Sequence, residues 1–357
     1  MTVRREQSVM TNLLPPPVDP RIVTTYSMWE MFRNCRKKCN LRYVQNLVSL
    51  RKEAPLEFGS VIHECLRLWH LTRDIEKVVA HIDAAFINRA VSPELKFRWH
   101  LATTMMQGYA RRYPAESFEI IVLEYPFQGE IVNPVTGAFS RSFVLAGKID
   151  GLVFMDGEHY LLEHKTASLL DSNYLDRLWT DFQITLYSHY IEQALGIKIS
   201  GVLYNVLVKA KLKQSEGETE AEYEIRRAEL IAKSKTGKTT AQRKLPETDE
   251  EFQVRLTAKY DDPGMFHREQ LLISRDQFRL LQEELWDLTQ QYLAARRKGL
   301  WIRSTSHCFH WNRPCAYYPI CSSADNPNVV QNLYEVRPPN TELIEVADDE
   351  PTETTSF

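Results

Sequence analysis

The spacing of apolar residues along the chain is helical at first, becomes strand-like near residue 117, and is helical again from residue 173. Amphipathic helices place apolar side chains every three or four positions, and the first part of the chain follows this rule. The pattern predicts one helix from Thr24 through the low forties, a second helix after Gly59, and mostly helical structure over residues 73–113. Pro93 is expected at the start of a helix within that last range.

Three segments rich in β-branched and aromatic residues follow, and turn signals separate them, which is typical of consecutive strands. Their sequences are FEIIVLEYPFQGEIV, RSFVLAGKIDGLVF and HYLLEHKTA. Helix is predicted again over residues 173–195, and SGVLYNVLVKAK predicts a further strand. A long amphipathic helix then closes at Gly299 after a basic last turn.

This order of elements predicts one α/β domain over residues 21–335, with a central mixed sheet flanked by helices. A helical insertion is expected at about 66–117, and a highly charged excursion, mobile or helical and solvated, at about 211–250. Residues 1–20 contain no long apolar stretch and are expected to be a flexible leader. The acidic residues 336–357 are expected to be a disordered tail.

Net charge limits how the chain could bind nucleic acid. The charge is -3 over 357 residues, so such binding would require a local basic patch. One acid-free stretch supplies it, with Arg33, Arg36, Lys37, Lys38, Arg42, Arg51 and Lys52. A solvated helix face explains these residues equally well. No apolar run reaches the ~18 residues that span a bilayer, so we expect no membrane association and a cytoplasmic location.

The dipeptide Asp156-Gly157 is a strong signal for a two-residue hairpin loop. If those two residues are the whole loop, counting outward from the turn puts Asp150 directly opposite Glu163. Opposed side chains have Cβ atoms ~5 Å apart, and two carboxylates at that distance destabilise a sheet unless a cation compensates them. Mg²⁺ and Mn²⁺ take oxygen ligands from one or two carboxylates, so the hairpin is a candidate metal site.

Two lysines accompany these carboxylates. The same count sets Lys148 opposite Lys165, and period-two geometry puts Lys165 on the same side of its strand as Glu163. A solvent-facing stripe, in which lysines and carboxylates pair diagonally, is the alternative explanation. The surrounding strands are otherwise apolar, which favours a functional cluster.

Asp150, followed on the next strand by the triplet Glu163-His164-Lys165, resembles the D…(D/E)-x-K core of the PD-(D/E)XK nuclease superfamily. The resemblance implies a restriction-endonuclease-like fold and metal-dependent hydrolysis of DNA phosphodiester bonds. His164 departs from the pattern, because the middle residue of the triplet is usually apolar. Its side chain is expected on the opposite face of the strand.

Two further motifs occur in the order found in one branch of that superfamily. FGSVIHE resembles a G-x-x-x-H motif, with Gly59 and His63, and DFQITLYSHY resembles a Q-x-x-x-Y motif, with Gln183 and Tyr187. The branch is typified by the RecB nuclease domain and by iron-sulphur exonucleases related to CRISPR adaptation nucleases. Taken singly, these residues would more often be a core histidine and ordinary packing.

The resemblance assigns roles by position. It implies that Mg²⁺ or Mn²⁺ is held by His63, Asp150, Glu163 and the backbone carbonyl of His164. Lys165 would position or activate a water molecule. Gln183 and Tyr187 would orient the site and the DNA backbone. A protein of the same fold that binds DNA, or acts as a scaffold, without cutting remains the alternative.

The chain has six cysteines, of which Cys308, Cys315 and Cys321 lie in one proline-containing loop. In the branch just named, one upstream cysteine and three near the C-terminus often hold a [4Fe-4S] cluster. SMWEMFRNC resembles the segment that carries the upstream cysteine in that branch. The resemblance implies that Cys35 is the fourth ligand and that the cluster joins the N- and C-terminal segments. Cys39 could compete with Cys35. A four-cysteine zinc site or free thiols are the alternatives.

The same resemblance implies partners. DNA with a free end or a single strand would be the substrate, and a separate helicase or recombination protein could supply strand opening. DNA recombination, repair or phage DNA processing, in a bacterial cytosol or a phage-infected host, is the expected setting.

Overall fold

The structure is a computed structural model that describes residues 21–50, 54–310 and 313–338, together with Asn340 and Leu343. The strands are β1 (Ile22–Thr24), β2 (Leu47–Ser49), β3 (Glu119–Val132), β4 (Phe139–Met155), β5 (Glu158–Ala167), β6 (Ile199–Val208), β7 (Phe266–Leu272), β8 (Phe309–His310), β9 (Arg313–Pro314) and β10 (Tyr334–Val336). The helices are α1 (Tyr26–Asn34), α2 (Arg36–Cys39), α3 (Ala54–Thr72), α4 (Ile75–Ala85), α5 (Pro93–Arg112), α6 (Ser172–Leu178), α7 (Phe182–Leu195), α8 (Glu220–Lys233), α9 (Asp249–Tyr260), α10 (Arg275–Lys298), α11 (Tyr318–Ser322) and α12 (Pro327–Leu333). Short turns of other helix types lie at Asn40–Val44, Ile87–Ala90, Pro263–Met265 and Thr305–His307.

Six of these strands form one mixed sheet in the order β1-β4-β5-β6-β7, with β3 paired to β4. β3 runs antiparallel along nearly the whole of one edge of β4. The opposite edge of β4 is shared, because β1 pairs parallel with residues 143–145 and β5 pairs antiparallel with residues 151–155. Among the described strands, none pairs with residues 146–150 on that edge, so the sheet opens between β1 and β5.

Helices cover both faces of the sheet, as the sequence predicts for an α/β domain. On one face, α1, α7 and α10 bury residues such as Trp29, Tyr187 and Leu285 against the strands. On the other face, α3, α4, α5 and α9 form a second core that includes Met105, Phe252 and the β7 residue Phe266. The alternation of strand side chains between the two cores is the expected period of two.

The hairpin between β4 and β5 has the predicted turn. Asp156 and Gly157 both have positive φ, 53° and 84°, as a type I′ loop requires. The predicted register is confirmed from Met155↔Glu158 to Gly151↔Leu162. The ladder stops there, one residue before the expected Asp150–Glu163 pair.

Several predicted elements need correction. The first predicted helix is interrupted at Cys35, whose extended backbone (φ -162°, ψ 107°) separates α1 from α2. The second helix begins at Ala54 and contains Gly59 instead of following it. The sequence pattern predicts no helix or strand over residues 251–273, yet they contain most of α9 and all of β7.

The charged excursion contains a helix without buried residues, α8, so it is solvated and helical. Val336, expected in the disordered tail, pairs with Leu47 in the small β10–β2 sheet. The leader and nearly all of the predicted tail lie outside the described residues. Within the described part of the chain, no helix has both the length and the apolar character that a membrane crossing requires.

Candidate active site

Asp150, the first candidate residue, lies on the open edge of β4, directly beyond the last β4–β5 pair. The Asp150 carboxylate takes the place of a ladder partner, because its Oδ2 accepts a hydrogen bond from the N–H of His164 at 2.7 Å. This bond turns the Asp150 carboxylate towards β5 at the point where the regular pairing ends. Lys148, expected opposite Lys165, instead pairs with Glu124 of β3 at 2.5 Å.

Glu163 and Lys165 lie on the same side of β5, as period-two geometry predicts, and contact each other. The Lys165 Nζ donates to Glu163 Oε1 at 2.5 Å and to Gln183 Oε1 at 3.1 Å. Gln183 lies in the first turn of α7, where the Asp181 side chain caps the helix by accepting from the Gln183 N–H. The helix N-terminus thus fixes the amide that holds the Lys165 ammonium group.

Tyr187 follows Gln183 by one helical turn and is buried against the sheet. Its ring packs edge-on against Phe127 of β3, with ring centroids 5.2 Å apart. Gly147 of β4 makes this packing possible, because a Cβ atom there would lie 2.6 Å from Phe127 and 3.1 Å from Tyr187. Tyr187 therefore supports α7 beneath Gln183.

His63 reaches the same site from α3, on the other side of the open edge. Its Nδ1 lies 3.2 Å from Asp150 Oδ1. Gly59, one turn earlier, lies against the end of β5, where an added Cβ would come within 4.0 Å of Thr166 Oγ1. That distance is an ordinary van der Waals contact, so Gly59 places α3 next to the strand that carries Glu163 and Lys165 without a steric requirement for glycine.

Burial and neighbouring charges shift the pKa values of the four ionisable groups of the site, which are Asp150, Glu163, Lys165 and His63. Burial raises the pKa of Glu163 to about 7, the neighbouring Asp150 adds to the rise, and Lys165 opposes it. Burial alone would raise the pKa of Asp150, but His63 and the His164 N–H outweigh it and hold the pKa well below its usual range. Burial would lower the pKa of Lys165, but Glu163 raises it further than burial lowers it. Burial would lower the pKa of His63, but Asp150 and Glu163 raise it to about 9. Two cationic groups, Lys165 and His63, therefore face the two carboxylates of the site.

The two buried carboxylates suit a divalent cation, since carboxylate oxygens are typical ligands of Mg²⁺ and Mn²⁺. The groups are adjacent but do not converge: within the described residues, no three His, Cys, Asp or Glu side chains surround a common point. Glu163 is instead held by the Lys165 ammonium group, and Asp150 by His63. A cation at this position would compete with Lys165 for Glu163.

Glu124 is a further charged neighbour that the sequence pattern does not single out. It lies opposite Asp150 in the β3–β4 ladder, between the pairs Leu123↔Gly151 and Tyr125↔Ile149. Its φ is 51°, a conformation that non-glycine residues rarely adopt within a strand. Burial raises the pKa of Glu124, and Asp150 also contributes. The register of β3 with β4 would have revealed it, but a count from the turn between those strands does not yield that register, because the ladder shifts between Glu130 and Val132.

The side chain of His164 points to the opposite face of β5, as expected. There its Nδ1 lies 3.0 Å from the Nδ2 of Asn205, which donates to the Tyr109 hydroxyl at 3.0 Å. Arg268 of β7 also donates to that hydroxyl and pairs with the buried Glu116 at 2.7 Å. A buried polar network therefore backs the residue whose N–H holds Asp150.

The N- and C-terminal segments meet around the candidate cluster cysteines. The Ser304 N–H lies 3.5 Å from Cys35 Sγ, and the Cys315 N–H donates to the Cys308 carbonyl at 2.8 Å. Burial raises the pKa of Cys321, and the thiols of Cys35 and Cys315 raise it too, while Lys37 opposes the rise. Cys321 therefore lies near both Cys35 and Cys315, although within the described residues the cysteines do not surround a single point.

The two other cysteines face apolar cores. Cys39 is fully buried in the core beneath α1, with its Sγ directed to the Met28 carbonyl at 3.8 Å. Its burial distinguishes it from Cys35, which is only partly buried, and the competition between the two cysteines for a metal stays a prediction. Cys65 is fully buried in the second core.

The basic patch of the first helices is partly used inside the protein. Arg36 donates to Gln291 at 2.5 Å, and Lys37 pairs with Asp325 at 2.8 Å. Arg33 lies over the Phe182 ring at 5.0 Å and is exposed. Arg51 and Lys52 lie outside the described residues.

The sheet, the helices on both of its faces and the carboxylate-lysine site define a nuclease-type α/β domain. The family model of the PD-(D/E)XK nuclease superfamily matches residues 24–322, which is most of the chain. The protein belongs to the PD-(D/E)XK nuclease superfamily. No curated protein matches the chain.

Proposed function

We propose that the protein is a metal-dependent DNA nuclease of the RecB-like, iron-sulphur branch of its superfamily. The observation that carries the proposal is the open edge between β1 and β5, where Asp150, Glu163 and Lys165 are brought together. This arrangement is what phosphodiester hydrolysis requires, because two carboxylates and one ammonium group adjoin a cleft in the sheet. His63 and Gln183 each contact one member of the set.

In the proposed mechanism, His63, Asp150, Glu163 and the His164 carbonyl would hold Mg²⁺ or Mn²⁺. When bound, such ions polarise the scissile phosphate and lower the pKa of a bound water. Lys165 would hold the attacking water and stabilise negative charge as it develops on the phosphate. Gln183 would keep the Lys165 ammonium group in position, and Tyr187 would support the helix that carries Gln183. The His164 N–H would keep Asp150 directed into the cleft.

An exonuclease of DNA recombination, repair or phage DNA processing is the form of this activity that we favour, by analogy with the branch. DNA with a free end or a single strand would be the substrate, and a separate helicase or recombination protein would open duplex DNA. The alternative, a protein of the same fold that binds DNA without cutting, is disfavoured by the intact set of Asp150, Glu163 and Lys165.

The proposal is tested by incubating purified protein with end-labelled linear DNA and with circular DNA, with and without Mn²⁺. An exonuclease degrades the linear DNA only when Mn²⁺ is present and leaves covalently closed circles intact. Nicking of circles would indicate an endonuclease. If both DNAs survive with Mn²⁺ and the protein still binds them, the non-cleaving alternative is correct.

We further propose that Cys35, Cys308, Cys315 and Cys321 hold a [4Fe-4S] cluster. Supporting this, the thiols of Cys35 and Cys315 both raise the pKa of Cys321, and the Cys315 N–H donates to the Cys308 carbonyl. Thiolates are the usual ligands of such clusters, and zinc is the alternative metal for the same four side chains.

Replacing Cys35 with alanine should remove the metal and lower stability. The cluster would close a loop of 273 residues (308 minus 35), and by analogy with a disulfide of that span it would contribute roughly 3 to 5 kcal/mol. Anaerobically purified parent protein should be brown and contain iron and sulphide, and Cys35→Ala should be colourless and melt earlier. Cys65→Ala is the matched control and should keep its iron. Stoichiometric zinc without iron in the parent would contradict the cluster, and an equally stable Cys35→Ala protein would contradict any metal link.

A further inference from the structure

A charged arm leaves the sheet next to the candidate active site. We define the arm as residues 211–248, which connect β6 to α9. β6 runs parallel to β5, and the two strands stay paired from the level of Lys165 to Ala167 and Val208. The Lys209 N–H then donates to the Ala167 carbonyl at 2.7 Å. The arm therefore starts at the same end of the sheet as the open edge.

Internal ion pairs hold the arm in one conformation. At its base, Arg255 of α9 pairs with Glu247 at 2.5 Å. Further out, Arg226 of α8 donates to both carboxylate oxygens of Glu218, at 2.5 and 2.8 Å, and to the carbonyl of Gln242 at 2.8 Å. These contacts tie α8 to the chain that returns alongside it. The far end of the arm therefore extends from a segment that these contacts hold in place.

Acidic and basic residues are segregated along the arm. No Asp or Glu occurs between Glu229 and Glu247, and five basic residues lie in this interval. They are Lys233, Lys235, Lys238, Arg243 and Lys244. Arg243 pairs with Glu220 at 3.1 Å.

The lysine tip, which we define as residues 233–240, carries lysine side chains that are available to bind an anionic group. Lys233, Lys235 and Lys238 are exposed and form no ion pair with any residue that the structure describes. The remaining side chains of the tip are hydroxyls, apart from Gly237. Lysine and hydroxyl side chains are the groups that contact phosphates of a nucleic-acid backbone without reading its sequence. A charge run on a solvated helix would instead alternate in sign and pair along the helix, as α8 itself does.

We propose that the lysine tip binds DNA backbone phosphates at a distance from the cleaved bond. The proposal rests on the proposed function, in which DNA is the substrate. α8 has 14 residues and so extends about 21 Å, which corresponds to about six nucleotide steps at 3.4 Å each. The tip therefore contributes affinity for DNA that continues beyond the active site. Because the arm is braced before DNA arrives, binding costs little conformational entropy.

The test replaces Lys233, Lys235 and Lys238 together with glutamine, which keeps the length and polarity of the side chains. Binding is measured by fluorescence anisotropy in EDTA, to prevent cleavage, on a long duplex and on a hairpin with a stem of about five base pairs. The affinity of the triple variant for the long duplex should fall about 10- to 100-fold at 0.1 M salt, and the slope of log K against log salt should flatten by up to about 2.7. Its affinity for the short hairpin, and its cleavage rate at saturating DNA with Mn²⁺, should match the parent.

The control removes the same charge from the other end of the sheet, where β6 begins and α10 starts. Lys198→Gln, Arg275→Gln and Arg279→Gln together should leave the affinity and the salt slope unchanged. A tip variant with parental affinity and slope, in a parent that binds and cleaves DNA, would overturn the tip proposal alone. A parent that binds no DNA would overturn both proposals. A tip variant that keeps its DNA affinity but no longer binds anionic phospholipid vesicles would also overturn the proposal, and would point to a membrane surface.

Discussion

Lys165→Met is expected to lower the rate of Mn²⁺-dependent DNA cleavage by at least about 10²- to 10³-fold while leaving Mn²⁺ binding intact or tighter. The rate falls because the ammonium group that would stabilise the developing charge is gone, and one such group typically supplies this factor. Metal binding is retained because the Lys165 Nζ, 2.5 Å from Glu163 Oε1, occupies the carboxylate that a cation would use. Removing the competitor frees Glu163 for the metal.

Glu163→Gln should lower Mn²⁺ binding as well as cleavage, because it removes a metal ligand. The metal-free variant should be as stable as the parent or more stable, because Asp150 loses a like-charged neighbour. Mn²⁺ binding is measured by calorimetry and by the metal-induced rise in Tm, and cleavage on end-labelled DNA. Glu158→Gln, at the turn end of the same strand, is the control and should change neither. Full cleavage activity in Glu163→Gln would rule out the proposed site.

The hairpin that carries the candidate site could be predicted from sequence because its determinants are local. Asp156-Gly157 sets the loop, the loop sets the register, and the register brings Asp150 next to the strand that carries Glu163 and Lys165. Counting residues outward from the turn could not reveal that the β4–β5 pairing ends at Gly151. That end depends on β1, which docks parallel to β4 from more than 100 residues away in sequence and leaves the strand edge open between them.

Long-range pairing also explains the other omissions. Glu124 is placed beside Asp150 by the β3–β4 register, and the shift of that register between Glu130 and Val132 hides the pairing from a count along the sequence. β7 was missed because its sequence, FHREQLL, contains four polar residues in a row and lacks the alternation of a half-buried strand. One of those polar residues, Arg268, faces a buried carboxylate, and the burial of such a pair becomes visible only once the distant segments are assembled.

That pair supports the second prediction of large effect. Arg268→Met is expected to lower the free energy of unfolding by about 3 kcal/mol, because it leaves the Glu116 carboxylate buried without its nearest cation. The Glu116 side chain is 3% exposed, and the Arg268 guanidinium contacts it at 2.7 Å. The same guanidinium lies 3.6 Å from the centroid of the Tyr113 ring and donates to the Tyr109 hydroxyl. Arg73, 3.2 Å from Glu116, remains in the variant and keeps the loss at the low end of the usual range for a broken buried pair.

The measurement is urea unfolding of the metal-free protein, with three variants compared against the parent. Arg111→Met, which breaks an exposed pair with Asp261, is the matched control and should cost less than about 1 kcal/mol. Adding Glu116→Gln to Arg268→Met should recover much of the loss, because the stranded charge is then removed. If Arg268→Met cost no more than Arg111→Met, the buried network would not stabilise the strands behind the site. In that case, the position of His164, and with it that of Asp150, would have to depend on the β5–β6 pairing alone.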